Sequence, residues 1–220
     1  MDTLNLNKGE RRDLIYVDEP LLDFHCKQAS GSVLRLFVFD FHSAENVLHI
    51  DHLAPDCRTE IYHLAFLHGQ DKVTTHTRMH HESGEGVSRQ LVKFVLDDHS
   101  SGEFLGELRI KQDAQHVDAQ QNNRNLLLSK QAVMRTRPQL EIYADDVKAS
   151  HGATTGQLDE SALFYMQQRG IAPEEGRRML LRAFMADIID KINEGGDGQT
   201  SANPIAEKLV VTIDRILEQG

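Results

Sequence analysis

The stretch from Pro138 to Gly156, PQLEIYADDVKASHGATTG, decides the fold of the chain around it. The stretch is strand-like, and it is rich in polar and charged residues. His151 lies near its end, and a helical pattern opens at Asp159, a residue type that caps helices well. We therefore predict a polar, surface-exposed strand that closes a β-rich region and leads directly into a helix.

The chain before this stretch consists of short, strand-like apolar runs without any helical pattern. Turn signals rich in Gly, Ser and Asn separate the runs, which span 34–38, 47–50, 61–67, 73–79, 91–96, 104–110, 126–128 and 140–143. An alternating βαβ sheet is disfavoured, because no helix lies between the strands. A β-sandwich fits this spacing, and a stacked β-solenoid fits it equally well.

From residue 157 the apolar residues take up a helical period instead. Gly170 is a fitting end for the first helix, and Pro173 and Pro204 suit the first turns of two more. The apolar faces of these helices are broad, so they either pack against one another or leave part of a face for a partner. The predicted division is a β domain over 1–156, with 1–32 irregular or capping, and a helical domain over 157–220.

Composition excludes several classes of protein. The 220 residues carry a net charge of −10, which argues against nucleic acid or an anionic membrane as the main partner. No run of apolar residues is long enough to span a membrane, and the polar N-terminus lacks an export signal. The two cysteines, Cys26 and Cys57, form no disulfide framework. A cytoplasmic protein is the expectation.

Histidines are the first candidates for chemistry. His76, His80 and His81 lie close together among the twelve histidines, which suggests a metal site. In a strand, however, His76 and His80 face one side and His81 the other, and the spacing matches no zinc motif. A structural, hydrogen-bonded role is the alternative.

Motifs of catalysis are absent from the sequence, which contains no GxSxG, P-loop or GxGxxG pattern. The acid pairs at 97–98 and 145–146 resemble the carboxylates of β-helix enzymes that attack carbohydrates. Adjacent residues of a strand point to opposite faces, so neither pair converges on one bond. We keep this enzyme class only as a further alternative.

The segment 146–152, DVKASHG, places Val147, Ala149 and His151 on one face of a strand. Gly152 follows, where the absence of a side chain allows a partner to approach closely. Two interpretations remain open at this point. His151 is either a strand-end histidine that hydrogen-bonds a carbonyl, or a ligand at a binding surface.

Residues 138–148, 150–154, 159, 162–165 and 169–171 together resemble the SufD-like members of the SufB/SufD family. Shorter matches in the same order extend upstream to about residue 75. The resemblance implies a non-enzymatic scaffold in iron–sulfur cluster assembly. It also implies a right-handed parallel β-helix core that pairs with a SufB-like subunit, and a C-terminal helical domain that docks a SufC-like ABC ATPase.

The resemblance further assigns roles to particular residues. His151 is implied to be a ligand of iron or of a transient cluster at the subunit interface, with no cofactor permanently bound by this chain alone. The ATPase-binding residues implied in the helical domain are Phe164, Tyr165, Arg169, Leu181 and Met185. A homodimer is expected when the chain lacks its partner.

Two departures from the family pattern stand out. Family members typically read DVKCSHG, whereas Ala149 occupies the cysteine position here and offers no ligating atom. The N-terminal region is also shorter than in typical members, so the chain is either a short member or a piece of a longer one. The alternative function is that of a degenerate or regulatory SufD paralogue, which binds partners without cluster chemistry.

Overall fold

The computed structural model describes residues 3–194 and 204–219 of the chain. It contains twelve strands and three helices. In chain order they are β1 (Thr3–Leu6), β2 (Arg11–Val17), β3 (Phe24–Gln28), β4 (Val33–Asp40), β5 (Ala44–His52), β6 (Arg58–Leu67), β7 (Lys72–His81), β8 (Val87–Leu96), β9 (Ser101–Ile110), β10 (Asp118–Leu127), β11 (Val133–Ile142), β12 (Lys148–Gly156), α1 (Glu160–Gln168), α2 (Pro173–Asn193) and α3 (Pro204–Gln219). The chain divides into two compact units, residues 1–156 and 157–220.

The twelve strands form a parallel β-solenoid. Successive strands alternate between two six-stranded sheets, one in the order β1-β3-β5-β7-β9-β11 and the other in the order β12-β10-β8-β6-β4-β2. Every pairing is parallel, as in the register of Asp118 with Lys148. A sandwich built from hairpins would contain antiparallel pairs. The structure therefore decides between the two architectures that the sequence left open, and the predicted β-helix is confirmed.

The predicted apolar runs fall in strands β4 to β11, with small shifts at the strand ends. The stretch 138–156, predicted as one strand, instead contains the end of β11 and all of β12, which lie in different sheets. Residues 1–32 depart from the sequence expectation of an irregular or capping region. They contain β1, β2 and β3, which continue the two sheets in register, as in the pairing of Thr3 with His25. These strands escaped prediction because they are short and because charged residues open β2.

The interior of the solenoid is apolar at its centre and polar along particular rows. Leu36, Ile50 and Phe94 are among the fully buried apolar side chains. Polar residues also face inward, and most hydrogen-bond one another, as buried polar groups generally do. Examples are Gln28, Asp40, Asn46, His52, Thr59, His63, Thr75, Thr77, His81, Ser88, Gln90, Gln121, Asn123 and Asn125.

The helical unit shows the capping residues that the sequence predicted. The Asp159 carboxylate accepts hydrogen bonds from the backbone N–H groups of Ser161 and Ala162, at 2.8 and 3.1 Å. Gly170 follows α1 with a φ of 84°, a left-handed conformation that favours glycine. Pro173 opens α2. Within residues 3–194 and 204–219, no helix has the length and apolar character needed to cross a membrane.

Candidate functional site at the terminal strand

The last strand, β12, lies at the edge of its sheet. All nine of its residues pair with β10 on one side, and the sheet order ends with β12 on the other. Its sequence is polar and small, with Ser, Thr, Gly and Ala around His151. An edge strand of this kind presents unpaired backbone N–H and C=O groups, which another strand can use for pairing.

The direction of the N–H groups in β12 follows from one hydrogen bond. The N–H of Lys148 donates to the carbonyl of Val117, on the β10 side, at 2.8 Å. In a parallel strand, alternate residues direct their backbone groups to opposite neighbours. The N–H groups of Ala149, His151 and Ala153 therefore point to the open edge.

The side chains of Ala149 and His151 share one face of β12, as the alternation predicted. Ala149 is in register with the buried Ala119, and His151 with the buried Gln121. Ala149 packs against the apolar core of the solenoid. His151 itself is exposed, because no described strand follows β12 in its sheet.

A row of polar side chains leads from the interior toward His151. The Thr77 hydroxyl donates to Oε1 of Gln90 at 2.8 Å, and Nε2 of Gln121 lies 3.5 Å from the same oxygen. Gly106 leaves the space that the Gln121 amide occupies, since a Cβ at residue 106 would lie 2.4 Å from Nε2 of Gln121. The Oε1 atom of Gln121 is buried and accepts no hydrogen bond among the described residues.

Two asparagines of β10 hold the C-terminal half of β12 through side chains in the interior of the solenoid. Asn123 and Asn125 exchange side-chain hydrogen bonds of 3.0 and 2.7 Å. Nδ2 of Asn125 also lies within hydrogen-bond distance of the Thr154 carbonyl and of the Thr155 hydroxyl, at 3.0 and 3.2 Å. The strand that carries His151 is therefore held by side chains as well as by its ladder with β10.

The chemistry available at this surface is that of a single imidazole. Ala149, the neighbouring residue on the same face of β12, offers no ligand atom. Both cysteines of the chain are buried elsewhere. Burial raises the pKa of the Cys26 thiol to about 12 and also raises that of Cys57, so neither is a ready thiolate. A metal or cluster at His151 needs further ligands from another molecule.

The three histidines of β7 are not brought together. His76 and His80 lie on the outer face of the strand, and His81 is buried in the interior. His80 lies between Asp51 and Glu107, with nitrogen–oxygen distances of 3.4 and 3.3 Å. Nε2 of His81 lies 2.9 Å from the Ser88 hydroxyl. The structure thus favours the hydrogen-bonded role for His80 and His81 over a metal site shared by the three histidines.

The five residues suggested for ATPase binding separate into two groups in the helical unit. Phe164 and Tyr165 of α1 are 62% and 60% exposed, and Nη2 of Arg169 donates to the Tyr165 hydroxyl at 2.9 Å. Leu181 and Met185 of α2 are only 4% and 0% exposed. These two side chains pack inside the helical unit, so the surface they were expected to provide is not free.

Comparison with known proteins connects this geometry to one family. A family model described as SUF system FeS cluster assembly, SufBD core domain, matches residues 22–184. This chain belongs to the SufBD family. The iron-sulfur cluster assembly protein SufD of Escherichia coli (strain K12) is 34% identical over 198 residues, which are 90% of this chain and 44% of that protein.

Other relatives agree with the SufBD assignment. An iron-sulfur cluster assembly SufBD family protein of Synechocystis is 39% identical over 61% of this chain and 30% of its own length. The chloroplastic protein ABCI7 of Arabidopsis thaliana is 39% identical over 66% of this chain and 30% of its own length. The chain spans less than half the length of these curated relatives. The predicted SufD-like resemblance is confirmed.

The polar row beneath His151 was not predicted from the sequence. Strands were recognised there by apolar alternation, and the β10 sequence DAQQNNRNLL shows little alternation of this kind. The sequence did contain a signal. Apart from Ala119 and Leu127, every inward position of β10 carries an amide side chain. A buried strand that carries Gln and Asn in place of Val and Ile indicates a polar interior at this level of the solenoid.

Proposed function

We propose that this chain is a non-enzymatic scaffold subunit of a Suf-type iron–sulfur cluster assembly complex in the cytoplasm. One observation carries the proposal. The last strand of a SufBD core domain keeps an unpaired edge and presents His151 beside it. No catalytic role is assigned to any residue of the chain.

The partner at this edge is a SufB-like β-solenoid. The outward N–H groups of Ala149, His151 and Ala153 can pair with a strand of the partner, as in other cases of strand addition. Main-chain hydrogen bonds supply the pairing, and the small side chains around His151 allow the partner backbone to approach closely. In the absence of this partner, the same edge supports a homodimer.

The cargo of the interface is iron or a transient iron–sulfur cluster, and His151 is its ligand from this chain. Iron–sulfur clusters are held mainly by thiolates, and imidazole replaces thiolate at some iron sites. Because Ala149 contributes no thiolate, the partner must provide the sulfur ligands. A site shared in this way releases its cluster when the two subunits move apart.

The second partner is a SufC-like ABC ATPase, which docks on the helical unit. Phe164 and Tyr165 present a large exposed aromatic surface on α1, and Arg169 borders it, its guanidinium carbon 5.2 Å from the centroid of the Tyr165 ring. Exposed aromatic residues next to arginine are typical of the energetically important positions in protein interfaces. Leu181 and Met185 contribute by shaping the helix pair from inside.

The second candidate function is a degenerate or regulatory SufD paralogue, which binds both partners without cluster chemistry. Ala149 favours it, because the family motif has a cysteine at this position. The substitution Ala149→Cys distinguishes the two functions. A gain in cluster loading indicates a degenerate member, and unchanged loading indicates that the chemistry at His151 does not need this thiol.

Co-purification tests the proposed function. An affinity-tagged form of this chain, expressed in its native host, should recover a SufB-like protein and an ABC ATPase, and the chain alone should show no enzymatic turnover. Recovery of neither protein would contradict the proposal. Recovery of another copy of this chain only would indicate a self-pairing protein in place of a scaffold.

A further inference from the structure

Three side chains that can ligate a metal meet on the outer face of the sheet that does not contain β12. His25 of β3 and His49 of β5 are register partners in adjacent strands, and Asp23 precedes β3 on the same face. One ligand atom from each residue lies within 4.8 Å of the other two. We propose that Asp23, His25 and His49 bind a divalent transition-metal ion such as Zn²⁺.

The set of donors suits this class of ion. Two imidazole nitrogens and one carboxylate oxygen are a ligand set of zinc and of ferrous iron, with the remaining coordination positions open to water. All three residues are half-buried, so an ion can enter from solvent. The donors come from two strands whose spacing the solenoid ladder fixes, which limits the loss of conformational entropy on binding.

Present contacts keep two of the ligands near their binding positions. Nε2 of His25 lies 2.7 Å from Oδ1 of Asp23, and the ring of His25 stacks on that of His49 with centroids 4.3 Å apart. Burial, followed by the nearby His25, lowers the pKa of His49. A lowered pKa favours the neutral imidazole, which is the form that binds metal.

Binding requires only a local adjustment. Donors bonded to zinc at about 2.0–2.1 Å in a tetrahedron are about 3.4 Å apart, so the three ligand atoms, now within 4.8 Å of one another, must move closer. The rings of His25 and His49 are nearly parallel, at 12°, so their lone pairs lie in separate planes and meet at one ion only after one ring turns. Turning His49 breaks no hydrogen bond among the described residues, but it gives up the stacking of this ring on His25.

The surrounding charges are mixed and mostly paired. Arg78 of β7 is the register partner of His49, and its Nε lies 3.7 Å from a carboxylate oxygen of Glu107. Asp51 lies two residues after His49 on the same face and lowers the electrostatic cost of a cation. His80 differs from the proposed ligands, because Asp51 and Glu107 raise its pKa and hold it as a hydrogen-bond donor.

Zinc binding to the full chain, purified without partners and freed of metal with a chelator, tests the proposal. Isothermal titration with Zn²⁺ should show one site that His49→Ala and Asp23→Asn each weaken by about tenfold or more. Co²⁺ should give the visible absorption of a tetrahedral site, and this absorption should weaken in His49→Ala, which removes one of the two imidazole ligands. The matched control, His80→Ala, removes a neighbouring imidazole and should keep the site.

Thermal unfolding separates loss of ligands from loss of fold. Asp23→Asn keeps the size of the side chain and should unfold at the wild-type temperature in the absence of metal. Equal zinc affinity in wild type, His49→Ala and Asp23→Asn would overturn the proposal, as would the absence of zinc binding to the wild-type chain. Because no partner is present, neither result depends on the role of His151.

Discussion

Gln121 and His151 are register partners in adjacent parallel strands, and the Oε1 atom of Gln121 is buried without a hydrogen-bond partner among the described residues. Neighbouring strands lie about 4.8 Å apart, so the amide is within reach of the imidazole. Ligating histidines usually donate their second ring N–H to a nearby oxygen, which fixes the orientation of the ring. Under the proposed function, Gln121 is the residue that positions His151.

The substitution Gln121→Met separates this positioning role from a structural one. Methionine keeps the length of the side chain and removes a buried oxygen that lacks a partner. Such an oxygen costs about 1–3 kcal/mol, which offsets the loss of the 3.5 Å contact between Nε2 of Gln121 and Gln90, so the free energy of unfolding in urea should stay close to that of the wild type. Iron and sulfide bound by the assembled complex should fall, because His151 loses its orientation.

The control for this prediction lies on the same strand. Gln120 is exposed on the outer face of β10, and Gln120→Met should leave both stability and loading unchanged. Wild-type loading in Gln121→Met would mean that the buried amide does not act on His151.

Two proline substitutions test the open edge of β12. Ala153→Pro removes an N–H that points away from β10, which proline tolerates at a sheet edge. Thr154→Pro removes an N–H of the β10 ladder. We expect Ala153→Pro to keep the fold but lose the SufB-like partner in co-purification, and Thr154→Pro to destabilise the core by a few kcal/mol. Retention of the partner by Ala153→Pro would show that pairing does not use this edge.

Buried histidines predict a loss of stability in acid. His52 and His81 lie edge to face in the interior, with ring centroids 4.6 Å apart. Burial lowers the pKa of His81 from 6.5 to about 4, and that of His52 well below its usual value. Below pH 6.5 the unfolded chain takes up protons that the folded chain excludes. The free energy of unfolding should therefore fall between pH 6.5 and about 4.

The contribution of His81 to this fall is on the order of 3 kcal/mol at most. His81→Gln should be less stable than wild type at pH 8 but should lose less stability on acidification, as measured by urea unfolding at several pH values. Met79→Leu, an inward substitution on the same strand without a titrating group, is the matched control. Met79→Leu should change the free energy of unfolding by the same amount at every pH, so the dependence of stability on pH should keep its slope. An unchanged slope in His81→Gln would contradict the assignment.

Substitutions in the exposed aromatic surface of α1 are predicted to weaken ATPase binding without lowering the stability of the chain. Phe164→Ala and Tyr165→Ala should each leave the unfolding free energy within about 0.5 kcal/mol, since both side chains are mostly exposed. Capture of the ABC ATPase should weaken about tenfold or more in each variant. Met185→Ala is the contrasting variant, because it leaves a cavity and should lower stability by about 2–5 kcal/mol. Undiminished capture by both aromatic variants would place the ATPase elsewhere.

The sequence was sufficient to predict features that depend on local pattern. The alternation around His151 indicated its shared face with Ala149, and Asp159 and Gly170 marked the ends of α1. Features that depend on register were not predictable in this way. Gln121 lies beside His151, and His25 beside His49, only because turns of the solenoid stack residues that are far apart in the sequence.

The sequence also did not predict which apolar residues of the helical unit are buried. Leu181 and Met185 belong to an apolar face that equally fits a partner or another helix of the same chain, and α2 and α3 pack together in the structure. Sequence period alone does not say which surface covers such a face. Strands β1 to β3 were not predicted for a similar reason. Their own apolar pattern is weak, and they are ordered by pairing with later strands.

The iron and sulfide content of the proposed complex with a SufB-like subunit and an ABC ATPase tests the central claim most directly. The comparison is between the wild-type chain and His151→Ala, each purified under anaerobic conditions. We predict that His151→Ala assembles the same complex with a clearly lower content of iron and sulfide. An intact complex with wild-type iron and sulfide content would contradict the account.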